Sequence, residues 1–172
     1  QDFDALSWRK LPGEAVAIAD VTDAYGVLVL AGPRSREVLS ACTRIDLANA
    51  AFPWLTGKEA VVAGVAGVRL LRVNYIGELG WELHVPMRGA PEVFEALMAA
   101  GKPHGIALFG TYAMNSLRME KAYRAFGSEL TTEVDMFEAS MSRFIQLDKG
   151  DFIGREASPA LLLFVDGDSI TA

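Results

Sequence analysis

Five short runs of β-forming residues punctuate the chain: Ala15–Val21, Tyr25–Ala31, Lys58–Ala63, Val68–Tyr75 and Glu82–Val85. Each is followed within two residues by Gly, Pro or Asp. Strands this short are unstable alone and must pair into a sheet with one covered face. Thr22-Asp23 suits a turn between the first two runs, and an Ala/Gly-rich turn joins the next two into a hairpin. The cover comes from helical stripes. Gly32-Pro33 stops the second run, and Pro33 fits the first turn of a helix carrying Val38, Leu39 and Cys42. Pro91 opens a second helix with Val93, Phe94, Leu97 and Met98 on one face, closed by Gly101 and Pro103. Gly110 to Arg124 reads as a third, with Ala113, Leu117 and Glu120 at helical spacing. The β-α-β-β-β-α order predicts an α+β fold, with a largely antiparallel sheet and packed helices, rather than a doubly wound parallel one.

Leu161–Val165 reads as one more strand, with Asp166-Gly167 as a hairpin turn and a return near Ile170. The chain stops two residues later, and Gln1 replaces an initiator methionine. The expectation is an excerpt truncated at both ends.

At 172 residues, 51% hydrophobic and 22% charged, the chain has the composition of one folded domain, or one domain and a fragment of a second. Its net charge of -6 disfavours nucleic acid, whose binding rests on cationic phosphate contacts. No apolar run approaches the ~20 residues needed to cross a bilayer. No signal peptide is visible, so the expected setting is soluble, in the cytoplasm or an organelle. Cys42 lies in an apolar-periodic stretch and reads as a small buried hydrophobe. His84 and His104 are isolated and read as ordinary residues, and one cysteine completes no common zinc site. Phosphate-loop, dinucleotide and nucleophile-elbow motifs are absent from the sequence.

One segment stands out. Asn74-Tyr75-Ile76-Gly77-Glu78-Leu79-Gly80-Trp81-Glu82 leaves one strand and enters the next with two aromatics, two carboxylates and two glycines. It reads either as a hairpin with solvated Glu78 and Glu82, or as a binding loop whose glycines let a ligand approach the backbone closely. In the second reading a fixed carboxylate, Glu78, accepts two hydrogen bonds from an aminopyrimidinone edge, each charge-assisted bond worth about 1.5–3 kcal/mol. Arg118 and Glu120 are open to a plainer reading as an exposed salt bridge worth about 0–1 kcal/mol.

The pattern Tyr75, Gly77, Glu78, Gly80, Glu82, followed by Ser116-Leu117-Arg118 and Glu120, resembles the folate-binding aminomethyltransferase family that includes the glycine-cleavage T-protein. Lys121, Tyr123-Arg124, Phe126-Gly127 and Lys149 to Ala157 look more like its dimethylglycine and sarcosine dehydrogenase branch. The resemblance implies a folate-binding domain over residues 1–157, lacking its N-terminal part, and the start of a C-terminal β domain at 158–172. It implies tetrahydrofolate as cofactor, held by Tyr75, Glu78 and Arg118, with the catalytic aspartate upstream of Gln1. FAD would belong to an upstream part of the parent polypeptide, where an N-methyl amine is oxidised before its one-carbon unit passes to folate. Met114 stands where T-proteins have a folate-binding arginine, and Arg143 where they often have tryptophan, both against a glycine-cleavage specificity. Alternatives within the family are a glycine-cleavage aminomethyltransferase and a non-catalytic assembly factor of the same fold.

Overall fold

A computed structural model describes residues 2–156. The chain divides into two units, Gln1–Lys121 and Ala122–Ala172. The first is built on a four-stranded sheet of β1 (Tyr25–Ala31), β2 (Gly57–Val62), β3 (Val65–Leu71) and β4 (Gly80–Pro86). The spatial order is β1-β4-β3-β2 and every pairing is antiparallel. Helices α1 (Asp2–Arg9), α2 (Ser35–Cys42), α3 (Ala90–Gly101) and α4 (Thr111–Glu120) complete it. The expected α+β class with an antiparallel sheet is what the chain adopts.

Alternation along the strands decides the two faces of the sheet. Leu30, Val62, Val68, Leu70, Trp81, Leu83 and Val85 point to one face and are buried there beneath Val38 and Leu39 of α2 and Val93 and Leu97 of α3. Each such side chain contributes roughly 1.5–3 kcal/mol of burial. The intervening residues, Val27, Val29, Arg69, Glu82 and His84, occupy the opposite face. In register, His84 lies between Val27 and Arg69, and Glu82 between Val29 and Leu71.

The long connection from α2 to β2 is tied to the sheet by two arginines. Arg36 donates to the carbonyl of Leu47 and to Asn49 Oδ1, and Arg72 donates to the carbonyl of Phe52 and to the same Asn49 oxygen at 2.8 Å. Both guanidiniums lie over the indole of Trp81, at 5.6 and 6.0 Å from its centre. Burial first, and then the charge of Arg36, hold Arg72 below the usual arginine range.

Several sequence expectations shift. Ala15–Val21 is not a strand: it runs outside the sheet and is largely exposed. Alanine fills alternate positions there, a weak strand former, and Asp20 reverses the chain by accepting the Thr22 hydroxyl at 2.6 Å and the Thr22 N–H at 2.9 Å. Those bonds, the hydroxyl's foremost, hold the Asp20 carboxyl below the usual range. Pro33 falls in the turn before α2 rather than in its first turn. The third strand begins at Val65, not Val68, because two residues suffice for its turn, and it ends at Leu71 once Arg72 is drawn to Phe52. The third predicted helix stops at Glu120, two residues before Ala122 enters the left-handed region at φ 55°. Helix α1 has no counterpart in the sequence reading.

The described part of the second unit is a run of turns with one short helical turn at Ser142–Phe144. Asp135 organises it, its carboxylate accepting the N–H groups of Phe137 and Glu138 at 2.6 and 2.9 Å. Arg155 pairs with Asp151 at 3.0 Å. The expected strand Leu161–Val165, its Asp166-Gly167 turn and the proposed second domain at 158–172 lie outside the described residues. Among the described residues no helix is long and apolar enough to cross a membrane, and no group of His, Cys, Asp and Glu is arranged to hold a metal ion.

Candidate functional site

Between β3 and β4 the chain makes an eight-residue excursion, 72–79, containing most of the carboxylate-rich segment. Asn74 opens it by accepting the Ile76 N–H at 2.8 Å, and Ile76 is buried as the anchor of the loop. Gly77 follows at φ +71°, where a methyl group would strike the stem of Lys121. At Gly80 a methyl group would lie 2.6 Å from the Leu30 carbonyl oxygen and 3.1 Å from Ala31 Cα. The close backbone approach that these glycines permit is therefore made by the protein itself, by β1 and by α4's exit, and not by a ligand. Their work is to seat the loop so that Glu82 enters β4 on the open face of the sheet.

Beside this loop lies a cavity of about 780 Å³, within the range typical of small-molecule sites. It runs along β1, with Phe94, Leu97 and Met98 of α3, residues 106–109 of the following connection, and Met114 of α4 as its apolar walls. Polar groups line it from Arg34, Ser35, Asn74, Tyr75, Glu82, His104 and Thr111. Ser35 is buried and its hydroxyl donates to the Leu79 carbonyl at 3.0 Å, fixing the loop's end to the start of α2. The Asn74 side-chain nitrogen is buried with no hydrogen-bond partner, a donor at the cavity wall.

The three residues expected to hold a ligand are not brought together in this cavity. Tyr75 lines it. Glu78 does not: it is exposed, with its carboxylate 3.9 Å from the Lys121 ammonium. Arg118 is almost fully buried, its Nε and Nη2 both donating to Asn115 Oδ1 one turn earlier, at 2.8 and 2.6 Å. The carboxylate that faces the cavity is Glu82, one-third exposed and 3.5 Å from His84 Nε2. The signal for it was the strand period. With Trp81 and Leu83 committed to the core, Glu82 must face the other way. Met114, at the position where T-proteins were expected to have arginine, also lines the cavity.

Comparison with known proteins agrees with the architecture. Residues 1–149 match the GCVT N-terminal domain family. Dimethylglycine dehydrogenase of Mus musculus is 43% identical over 84% of the chain, and sarcosine dehydrogenase of the same species 39% over 81%. An aminomethyltransferase of Koribacter versatilis is 35% identical over 83%. The aligned regions span 17%, 15% and 37% of those proteins, respectively, so the chain corresponds to a small part of each. Among solved structures, heterotetrameric sarcosine oxidase from Corynebacterium sp. U-96 shares the fold, with a TM-score of 0.53 over 63% of this chain and 53% of its own, at 23% identity. The match over residues 1–149 shows that the chain belongs to the GCVT N-terminal domain family, and its relatives include dimethylglycine dehydrogenases, sarcosine dehydrogenases and aminomethyltransferases.

Proposed function

We propose that this chain is the folate-binding wall of a demethylating enzyme of the dimethylglycine or sarcosine dehydrogenase type, receiving a one-carbon unit onto tetrahydrofolate. The observation that carries the reading is that Glu82 and Tyr75 both line one largely apolar cavity of about 780 Å³. A pterin presents adjacent N–H donors on a flat edge. Glu82, held in a strand rather than on a loop tip, supplies a two-oxygen acceptor for that edge, and Tyr75 supplies an aromatic side for the ring. Tetrahydrofolate, when bound, supplies the nucleophilic nitrogens that accept the one-carbon unit. The residues of this chain bind and orient it and exclude water through Phe94, Met98 and Phe109. In this reading Glu78 and its Lys121 partner hold the loop, Arg118 holds α4 through Asn115, and the proton-handling aspartate lies outside residues 1–172. The sequence has no Gly-x-Gly-x-x-Gly cradle for FAD, so the flavin belongs to another part of the parent.

Calorimetric titration with tetrahydrofolate tests this. Glu82→Gln is expected to weaken binding by about 10–100-fold, the equivalent of one or two charge-assisted hydrogen bonds. Glu78→Gln is expected to change it by less than about 2-fold, as for an exposed ion pair. Equal losses from both variants, or from neither, would count against Glu82 as the anchor. A glycine-cleavage aminomethyltransferase is the second reading, supported by the Koribacter versatilis relative. Met114 in the cavity wall speaks against it, because that position offers no cation to a folate carboxylate.

A further inference from the structure

The folate reading leaves one donor at the cavity wall unused. Asn74 Oδ1 accepts the Ile76 N–H at 2.8 Å, and because a backbone N–H can only donate, the amide is fixed with Nδ2 as its other end. That Nδ2 is buried and has no hydrogen-bond partner among the described residues. A buried donor left unpaired is costly and uncommon, so its position calls for an acceptor. Strand β4 sets that position. Gly80 and Glu82 alternate onto the same open face, about 7 Å apart along the strand. A side chain at Gly80 would run into Asn74 Nδ2. The amide therefore fills the space that Gly80 leaves, one same-face step from Glu82, and Asn74 and Glu82 both line the cavity. Neighbouring donors of the lining are committed elsewhere: the Ser35 hydroxyl donates to the Leu79 carbonyl at 3.0 Å, and Arg34 faces Glu37 at 3.2 Å.

We infer that Asn74 is a specificity-determining residue of the cavity, its Nδ2 donating to the ring carbonyl that adjoins the two N–H groups accepted by Glu82. An aminopyrimidinone edge presents, in order, an amino N–H, a ring N–H and a carbonyl oxygen. Glu82 supplies the two acceptors and Asn74 the donor. In a 2,4-diamino ring a second amino group replaces the carbonyl, and the Asn74 N–H then meets another N–H. Glu82 alone has no means of rejecting that ring; the unpaired donor left at Asn74 does. The inference rests on the folate reading for the ligand, and adds to it the choice of a 4-oxo over a 4-amino ring.

Calorimetric titration of the 172-residue chain with tetrahydrofolate and with its 2,4-diamino analogue, for wild type and Asn74→Asp, tests this. Aspartate keeps an oxygen for the Ile76 N–H and puts an acceptor where Nδ2 was. The wild type is expected to bind the 4-oxo ligand about 10-fold more tightly than the 4-amino one. Asn74→Asp is expected to lose about 10-fold for the 4-oxo ligand while holding the 4-amino ligand at least as well, which also shows that its loop is intact. The same ratio of affinities in both proteins would overturn the inference, and an equal loss of both ligands would make Asn74 a support of the loop alone. In either case the folate reading survives if Glu82→Gln still weakens tetrahydrofolate. Should neither ligand bind the wild type, the folate reading falls and the role given to Asn74 falls with it.

Discussion

Gly80 marks the tightest point of the site. Its backbone passes so close to β1 that a single methyl group would meet the Leu30 carbonyl oxygen at 2.6 Å, and neither strand can give way without breaking the β1–β4 ladder, which pairs Ala31 with Gly80. Gly80→Ala is expected to cost about 1–3 kcal/mol, the range for overpacking a well-filled interior, read from urea unfolding of the variant against wild type. A cost near zero would mean that the loop and β4 are seated by something else. Cys42 gives a second residue-scale test. Burial raises its thiol above the usual range. The folded protein therefore favours the neutral thiol, a preference fully present below the unfolded thiol's pKa and lost as pH rises through the folded one. Alkylation of Cys42 at pH 8 is expected to be slower in the native chain than in urea, and equal rates would contradict the shift.

Among the elements, the β2–β3 hairpin turns on Ala63 and Gly64, with Val62 paired to Val65 on either side. Ala63 takes φ 51°, the left-handed conformation that costs an alanine roughly 1–2 kcal/mol and that asparagine tolerates far better. Ala63→Asn is expected to stabilise the chain by about 0.5–1 kcal/mol, visible as a higher urea midpoint at unchanged slope. The same turn shows why element boundaries were harder to read than element types. Val65 to Gly67 looked like part of an Ala/Gly-rich turn because small residues dominate it, yet two residues with positive φ close the hairpin and return those positions to the strand. Helix α3 was legible because Pro91 opens it and its apolar stripe has an unbroken helical period. Ala15–Val21 was not. Val16, Ile18 and the alternation around them resemble a strand, but alanine at the other positions is a weak strand former, and pairing also needs a neighbour's backbone presented to it, which local pattern does not encode.

At the level of the whole molecule, the motif made the loop legible but not the geometry within it. Tyr75, Glu78 and Glu82 belong to one motif, and only the fold tells that Tyr75 and Glu82 line the cavity while Glu78 does not. Register also determines what the sheet leaves exposed. Among the described residues, β1 pairs with β4 on one side and with no strand on the other, and it carries Val27 and Val29 at 52% and 50% exposure. An open edge with two exposed valines is a template for another strand, and a net charge of -6 spread over the chain opposes self-pairing only weakly at physiological salt, where screening acts within about 8 Å. The chain is therefore expected to associate at concentrations on the order of 100 µM, within the range where unpaired edges aggregate. Sedimentation velocity measures this directly. Val27→Lys, which places a charge on the edge without entering the buried core, is expected to restore the monomer while changing unfolding free energy by less than about 0.5 kcal/mol. Association undiminished by the lysine would assign the sticky surface elsewhere, with the exposed apolar residues Phe3, Leu6 and Trp8 of α1 next to be tested by the same substitution.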